Sequence, residues 1–431
     1  MEEKESILKQ KYLFADLHIH SKYSRACSKD LTIGNLAKWA KIKGIDILGT
    51  GDFTHEKWLV EINDKLEDNG KGILVLKSGD QSVKFIFSGE ISLIYTQNGK
   101  GRRIHFVLLA PNLETVKKIN QFLDSKGRRD YDGRPIFGFS AVTLAQEMRK
   151  ISEDIEIIPA HAWTPYFGIF GSKTGFNSLK EAFGDEEKYI HAIETGMSSD
   201  PEMNWRIKSV ENKTIVSFSD SHSFWPWRIG REATIFSEFD SYKDLIKQIR
   251  ENKILGTIET DPAYGKYHWD GHASCKFSCS FEETKKLKGL CPKCGKPLTI
   301  GVEYRVEEIS ENPRGYIPTW GKPFWKILPL HEVISLKTGA SLASKKNWVV
   351  YDELIEKFGN ELNILLRVSN EEFLRENVDV TLVNLILENR EGRIKVIPGF
   401  DGEYGVASIG IVSSKNEDKT ENINPVQKKL F

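Results

Sequence analysis

Along the first 260 residues, short apolar runs alternate with amphipathic stretches, the rhythm of strand and helix units around a mainly parallel sheet. Runs at residues 12–19, 45–49, 84–88, 104–109, 155–159, 190–194 and 214–219 read as strands, and seven of them point to a barrel. Between them, residues 32–43 open on Thr32 as an N-cap and stop at Gly44, while 140–150 and 242–252 carry apolar side chains at helical spacing. A stretch rich in Gly, Tyr and His, 261–271, breaks the rhythm. The expected fold is α/β: a seven-stranded barrel over 1–260, a cysteine-bearing module over 261–305, and a C-terminal α+β or helical domain over 306–412. Within the last, residues 380–387 are apolar enough to be core. The tail, 413–431, is polar and charged and is expected to be disordered.

The chemistry falls where these strands end. In Asp16-Leu17-His18-Ile19-His20, the two-residue period of a strand puts Asp16, His18 and His20 on one face and the apolar residues on the other. The second run ends in Asp52-Phe53-Thr54-His55, the third in Glu90, the fifth in His161, the sixth in Glu194 and the seventh in Asp220-Ser221-His222; His105 lies within the fourth. Barrels build active sites at the carboxyl ends of strands, where the following loops are free to vary. A single histidine on a strand is usually a core residue, and His191 reads that way. Six of the ten histidines beside four carboxylates do not. Imidazole with carboxylate suits Zn, Mn or Fe, and so many ligands exceed one ion's needs, so two or three divalent ions about 3.5–4 Å apart are expected. Clusters of this kind hydrolyse phosphoesters, because one ion lowers the pKa of a bound water while another neutralises the non-bridging oxygens.

Composition narrows the partners. The chain has 431 residues, 39% of them hydrophobic and 28% charged, a globular balance that excludes a fibrous or disordered protein. Lys+Arg and Asp+Glu both number 61, so no global charge attracts nucleic acid or membrane, and an anionic partner must be held locally or through metal. No apolar run approaches the roughly 18 residues of a membrane span, and the start lacks a signal-peptide pattern; a cytoplasmic protein without a membrane partner is expected. Four of the five cysteines fall within 20 residues, which fits a metal knuckle in a reducing compartment. Cys291-Pro292-Lys293-Cys294-Gly295 aims two thiolates at one zinc. Two partner pairs are open: Cys275 with Cys279 completes an all-thiolate site, whereas His272 with Cys275 has the tighter gap and leaves Cys279 free. Either ion is structural, since thiolates fill the position that a hydrolytic water needs.

In order along the chain, Asp16-Leu17-His18-Ile19-His20-Ser21, Gly51-Asp52-Phe53-Thr54-His55, Ser88-Gly89-Glu90, Ala160-His161 and Ser219-Asp220-Ser221-His222 resemble the motifs of the PHP (polymerase and histidinol phosphatase) metal-dependent phosphoesterases. The resemblance covers about residues 10–260 and implies a distorted seven-stranded (β/α) barrel with a trinuclear site of Zn, Mn or Mg. It carries the ligands onto His18, His20, Asp52, His55, Glu90, His105, His161, Glu194, Asp220 and His222. Many members read Thr-Asp-His contiguously where this chain has Asp52-Phe53-Thr54-His55, which leaves Asp52 and His55 both open as the direct ligand. With Tyr267-His268-Trp269-Asp270-Gly271-His272-Ala273-Ser274-Cys275 and the Cys291–Cys294 knuckle added, nearly the whole chain resembles the endonuclease Q family, DNA repair nucleases best known from archaea. That implies a nick on the 5′ side of uracil, hypoxanthine, xanthine and abasic sites, with the base flipped into a pocket.

Damaged DNA as the implied partner gives weaker features a meaning. Arg128 and Arg129 form a basic cluster suited to phosphates, with Arg102-Arg103 a second one. Trp163 and Tyr166 follow His161, and Trp225, Trp227 and Arg228 follow His222, at the mouth of the site and suited to stacking on an unpaired base. The last residues, Gln427-Lys428-Lys429-Leu430-Phe431, resemble the clamp-interacting box of replication and repair proteins, which implies a sliding clamp held through Gln427, Leu430 and Phe431. Two other functions remain open. A PHP-type phosphatase or phosphodiesterase on a small phosphate ester would not need the 171 residues after residue 260. A non-catalytic DNA-binding module with structural metals would not need mixed His, Asp and Glu ligands.

Overall fold

A computed structural model of the protein describes residues 2–408. All seven apolar runs form strands: Tyr12–Asp16, Ile47–Gly49, Lys84–Gln97, Lys100–Ala110, Glu156–Pro159, Ala192–Glu194 and Thr214–Val216. The first three lie side by side in parallel. Lys100–Ala110 then runs antiparallel to Lys84–Gln97, and Glu156–Pro159 antiparallel to Lys100–Ala110, while the last two pair in parallel with each other. The expected mainly parallel sheet is therefore a mixed one, and the cause is local. Asn98 and Gly99, at φ 52° and 72°, make a two-residue hairpin loop between the paired Gln97 and Lys100. Two left-handed residues turn the chain straight back, so no crossover helix can intervene and the next strand must be antiparallel.

The sheet continues past these strands. Ala233–Ser237 pairs antiparallel with Tyr12–Asp16, Gly256–Glu259 antiparallel with Ala233–Ser237, and Phe324–Lys326 parallel with Gly256–Glu259. The helices sit where capping residues place them. Thr32 accepts the Asn35 N–H at the start of Ile33–Lys43, and Gly44, at φ 96°, closes it. Ser140 and Ser241 cap Ala141–Ile151 and Tyr242–Arg250 in the same way. Beyond residue 300 the chain is mostly helical, with Leu330–Thr338 packed on Lys345–Phe358 and on Val380–Arg390, whose Leu382, Val383 and Ile386 are buried. One apolar core runs from Phe14 and Leu36 to Leu330, Leu362 and Ile386, so the C-terminal helices and the sheet stabilise each other at about 1.5–3 kcal/mol per buried side chain. The cysteine module has only Cys279, Cys291 and Leu298 as a separate small cluster. Among the described residues, no helix is long and apolar enough to cross a membrane.

Candidate active site

The Tyr12–Asp16 strand stops short of the histidines, and the chain runs on extended until Ile19 bridges to Ser221. That bridge brings residues 18–20 against 219–222. Asp16 does not join the histidines: its carboxylate accepts the Ser219 N–H (3.0 Å), the Ser219 hydroxyl (2.6 Å) and the Gly230 N–H (2.9 Å), fastening the loop that carries Asp220.

Two clusters of metal-type ligands share one carboxylate, Glu90. His18, His20, Glu90 and Asp220 form the first and Glu90, His105 and His161 the second, with one donor atom from each residue within 4.8 Å of the others. Glu90 Oε2 lies 3.2 Å from His20 Nε2 and 3.5 Å from His18 Nε2; Oε1 lies 2.7 Å from His105 Nδ1 and 3.2 Å from His161 Nε2. Asp220 Oδ1 is 2.9 Å from His20 Nε2. His18 Nε2 is buried, has no hydrogen-bond partner and faces the oxygens of Glu90 and Asp220 at 3.5 Å each. A buried imidazole nitrogen left open toward two carboxylates fits a divalent cation, and the mixed nitrogen and oxygen donor set suits the same ions.

Behind this inner layer stand two carboxylates with no oxygen to spare. Asp52 accepts from His20 Nδ1 (2.9 Å), Ser21 N (2.7 Å), Ser21 Oγ (2.6 Å) and Ser24 Oγ (2.8 Å). Glu194 accepts from His18 Nδ1 (2.8 Å) and the His161 backbone N–H (2.6 Å). Each orients a histidine from its far nitrogen. His222 borders the first cluster, its ring 4.3 Å from that of His20 and its Nδ1 donating to the Asp220 carbonyl (3.0 Å). His55 belongs to neither cluster; it stacks on Tyr23 at 4.2 Å. Asp52, His161 and Asp220 all have left-handed backbone, φ 40°, 28° and 47°, a strain of about 1–3 kcal/mol each that the surrounding bonds hold in place.

The charges explain why the site calls for cations. Burial alone would push Glu90 up, but His105, Arg134 and His18 outweigh it and hold Glu90 well below the usual carboxylate range. Asp220 is held low in the same sense, desolvation being outweighed by His18 and His222. Burial pushes His18 and His20 down, yet the facing carboxylates win and raise both well above the ordinary imidazole value. Imidazolium protons thus balance the buried negative charge, and a divalent cation would balance the same charge and release them.

Arg134 was not marked by any motif. Its Nη1 lies 3.0 Å from Glu90 Oε2, with a quarter of the side chain exposed. The adjacent Gly133 explains the approach: a Cβ there would meet Asp52 Oδ2 and Ser24 Oγ at 2.2 Å, so only glycine lets this loop press against the site.

Other expected residues lie apart from the clusters. Trp163 is fully buried with its indole N–H on Asn204 Oδ1 (2.8 Å), which removes it from the mouth, because an amide acceptor inside the core holds the ring there. Trp227 is also buried, whereas Trp225 (38% exposed) and Tyr166 (44%) are open to solvent. Arg128 pairs with Asp130 and Arg129 with Asp124. In the cysteine module, His272, Cys275, Cys291 and Cys294 come within 4.8 Å of one another. Cys279 is not among them, since its thiol is buried against Thr284 Oγ1 (3.2 Å).

Fold and clusters together point to a class: the chain is an enzyme of the metal-dependent hydrolase type, with imidazole and carboxylate groups gathered where an ion could be held. Within that class it is similar, over nearly its whole length, to endonuclease Q. The crystal structure of the lesion-specific endonuclease PfuEndoQ from Pyrococcus furiosus matches at a TM-score of 0.82 and 29% identity, over 92% of this chain and 95% of that one. The structure of endonuclease Q with a 27-mer duplex substrate carrying an abasic lesion at the active site matches at 0.82 and 29%, over 93% and 97%. The uncharacterised protein YqxK of Bacillus subtilis is 27% identical over 417 residues, covering 92% of this chain and 99% of that protein. The uncharacterised protein MJ0043 of Methanocaldococcus jannaschii is 32% identical over 256 residues, 58% of this chain, which spans only 31% of that relative's length. The family described as the MJ0043 C-terminal domain matches residues 329–393.

Proposed function

We propose that the protein is a DNA repair endonuclease that hydrolyses the phosphodiester bond on the 5′ side of deaminated bases (uracil, hypoxanthine, xanthine) and of abasic sites. The observation that carries this reading is the pair of ligand clusters joined on Glu90 in a chain that matches endonuclease Q over 93% of its length, that neighbour holding a duplex with an abasic lesion. In this reading the seven strands form the distorted barrel of the PHP enzymes, and the two clusters hold two or three ions of Zn, Mn or Mg. Bound there, the ions would supply a water of lowered pKa and positive charge for the phosphate oxygens.

The chain's own residues orient and select. Asp52 and Glu194 fix which nitrogen of His20 and His18 faces the site. Arg134 keeps a guanidinium at the rim, suited to a non-bridging phosphate oxygen. Trp225, stacked on Trp227 with 5.6 Å between centroids and 8° between planes, offers an exposed platform to an unpaired base, with Tyr166, Arg228 and Arg128 as further contacts. Uracil and hypoxanthine present a carbonyl where cytosine and adenine carry an amino group, so a pocket that donates hydrogen bonds there rejects a normal base by about 1–3 kcal/mol per unsatisfied group. His272, Cys275, Cys291 and Cys294 hold a structural zinc, which suits a reducing cytoplasm. Gln427, Leu430 and Phe431, which lie outside the described residues, dock the enzyme on a sliding clamp.

Labelled duplexes with one deoxyuridine, deoxyinosine or abasic site, incubated with Mg²⁺ or Mn²⁺, test the reading. The expected product is a nick 5′ of the lesion with 3′-hydroxyl and 5′-phosphate ends. Free uracil released before any nick, or equal cutting of undamaged duplex, would overturn it.

A further inference from the structure

A concavity of about 510 Å³ opens beside the second ligand cluster, lined by Tyr95, Arg102, Arg103, Tyr166, Lys173 and Thr174 among others. Its distance from the cluster follows from the strand. Arg103 precedes His105 by two residues in Lys100–Ala110, on the same strand face and on the order of 7 Å away. Tyr166 precedes Phe167, whose carbonyl accepts the His105 N–H (2.9 Å) and whose ring centroid lies 4.4 Å from that of His105.

The concavity is built rather than incidental. Arg102, only 4% exposed, lays its guanidinium over the Phe176 ring at 3.9 Å and donates to Glu181 Oε1 (2.8 Å) and to the Gly175 carbonyl. The Thr174 hydroxyl donates to the Arg103 carbonyl (3.2 Å), and Arg305 donates to the carbonyls of Phe170 (3.0 Å) and Phe176 (3.1 Å). The loop that carries Lys173 is thereby pinned to the strand that carries Arg103. Two features are left unanswered by the protein. Among the described residues no carboxylate pairs with Arg103 or Lys173, in contrast to Arg102, Arg128 and Arg129, which face Glu181, Asp130 and Asp124. The buried Arg102 Nε–H has no acceptor at all. Orphaned buried donors are rare, and this one lies in a wall of a cationic concavity.

We infer that the concavity is a phosphodiester subsite, in which Arg103 and Lys173 take the backbone phosphate next to the one cleaved at the clusters, with Tyr166 against the neighbouring sugar or base. The spacing agrees, since two residues of strand advance about 7 Å, the reach of one sugar–phosphate step along a DNA strand. The inference rests on the endonuclease reading but is read out separately from it. Two further consequences follow from the chemistry: the interaction is indifferent to sequence and lesion, and it is salt-dependent.

The test is duplex binding by the metal-loaded full chain to duplexes whose scissile linkage is replaced by an uncleavable one, followed by fluorescence anisotropy across a salt series. For the Arg103→Ala/Lys173→Ala double variant, affinity is expected to fall at least about tenfold on lesion and undamaged duplex alike. The slope of log K against log salt should shrink by about two, near 0.9 for each cationic side chain removed from a phosphate. In the nicking assay the loss should appear in KM. Unchanged affinity and slope would sink the subsite. Failure of the unsubstituted protein to nick any lesion overturns the endonuclease reading instead, and the salt slope still decides the subsite.

Discussion

Asp52 and Asp220 look alike in the sequence, each a carboxylate just after a strand, yet the structure gives them different work. Asp220 turns an oxygen toward His20 Nε2 inside the cluster, while Asp52 spends both oxygens on His20 Nδ1 and two serines. Asp220→Ala should therefore lose metal outright. Asp52→Ala should keep every inner donor but free the His20 ring, lowering metal affinity about 10–100-fold. Metal analysis with a chelator titration separates the two; equal, complete metal loss in both variants would make Asp52 a direct ligand. Five of the six inner residues were legible as strand-end motifs and His105 as a member of the fourth run, because a period of two and a strand boundary are written in sequence. Their division into inner and outer layers was not, because it depends on which way each rotamer turns. Arg134 was illegible for another reason: its place comes from Gly133 nesting on Asp52, an approach between segments 81 residues apart in number.

At the scale of elements, strand and helix positions were legible and strand direction was not. Thr32 and Gly44 mark the ends of Ile33–Lys43 by side-chain chemistry alone, and the caps form as written. The antiparallel turn at Asn98-Gly99 also has a sequence signature, a left-handed pair between apolar runs, but the repeating strand and helix rhythm around it argues for a crossover. In the cysteine module, spacing left His272 and Cys279 as equals. The hairpin of Asp270–His272 with Phe277–Cys279 pairs Asp270 with Cys279, which leaves that thiol at the far end of the hairpin from His272 and against Thr284. His272→Ala and Cys291→Ala should each release one tightly held zinc and lower the melting temperature, since structural zinc binding is folding free energy. Cys279→Ala should keep its zinc. Zinc loss from the Cys279 variant matching that of Cys291→Ala would return Cys279 to the ligand set.

At the scale of the molecule, buried polar groups join parts that are distant in sequence. Lys43 Nζ donates to Glu361 Oε1 (2.6 Å) and to the Pro226 carbonyl (2.8 Å), and Glu361 also accepts from Leu330 N and the Tyr351 hydroxyl, so the first long helix, the Trp225 loop and the C-terminal helices meet at one buried pair. A second buried polar site makes the whole fold pH-sensitive. Glu232 accepts the N–H groups of Met197 (2.8 Å) and Thr260 (3.1 Å), and Glu259 accepts hydroxyls of Thr195, Ser217 and Thr257. Burial pushes Glu232 up to about 8, against the pull of Arg231 and with Glu194 adding to the rise. Burial and then the Glu232 charge push Glu259 well above the carboxylate range. Both carboxyls hold protons in the fold that the unfolded chain releases near its ordinary value of 4.5. From there up to about 8 the folded state binds more protons than the unfolded one, so stability falls as pH rises through that window. Metal binding works in the opposite direction, because its ligands must lose protons, so the comparison belongs between two proteins under identical conditions. Glu259→Gln keeps a neutral side chain among hydroxyls that can each turn to donate or accept, and removes one of the two titrations. The melting temperature of the unsubstituted chain should drop between pH 6 and pH 8.5 more steeply than that of Glu259→Gln, and parallel curves for the two would mean that the Glu259 proton is not what the fold holds.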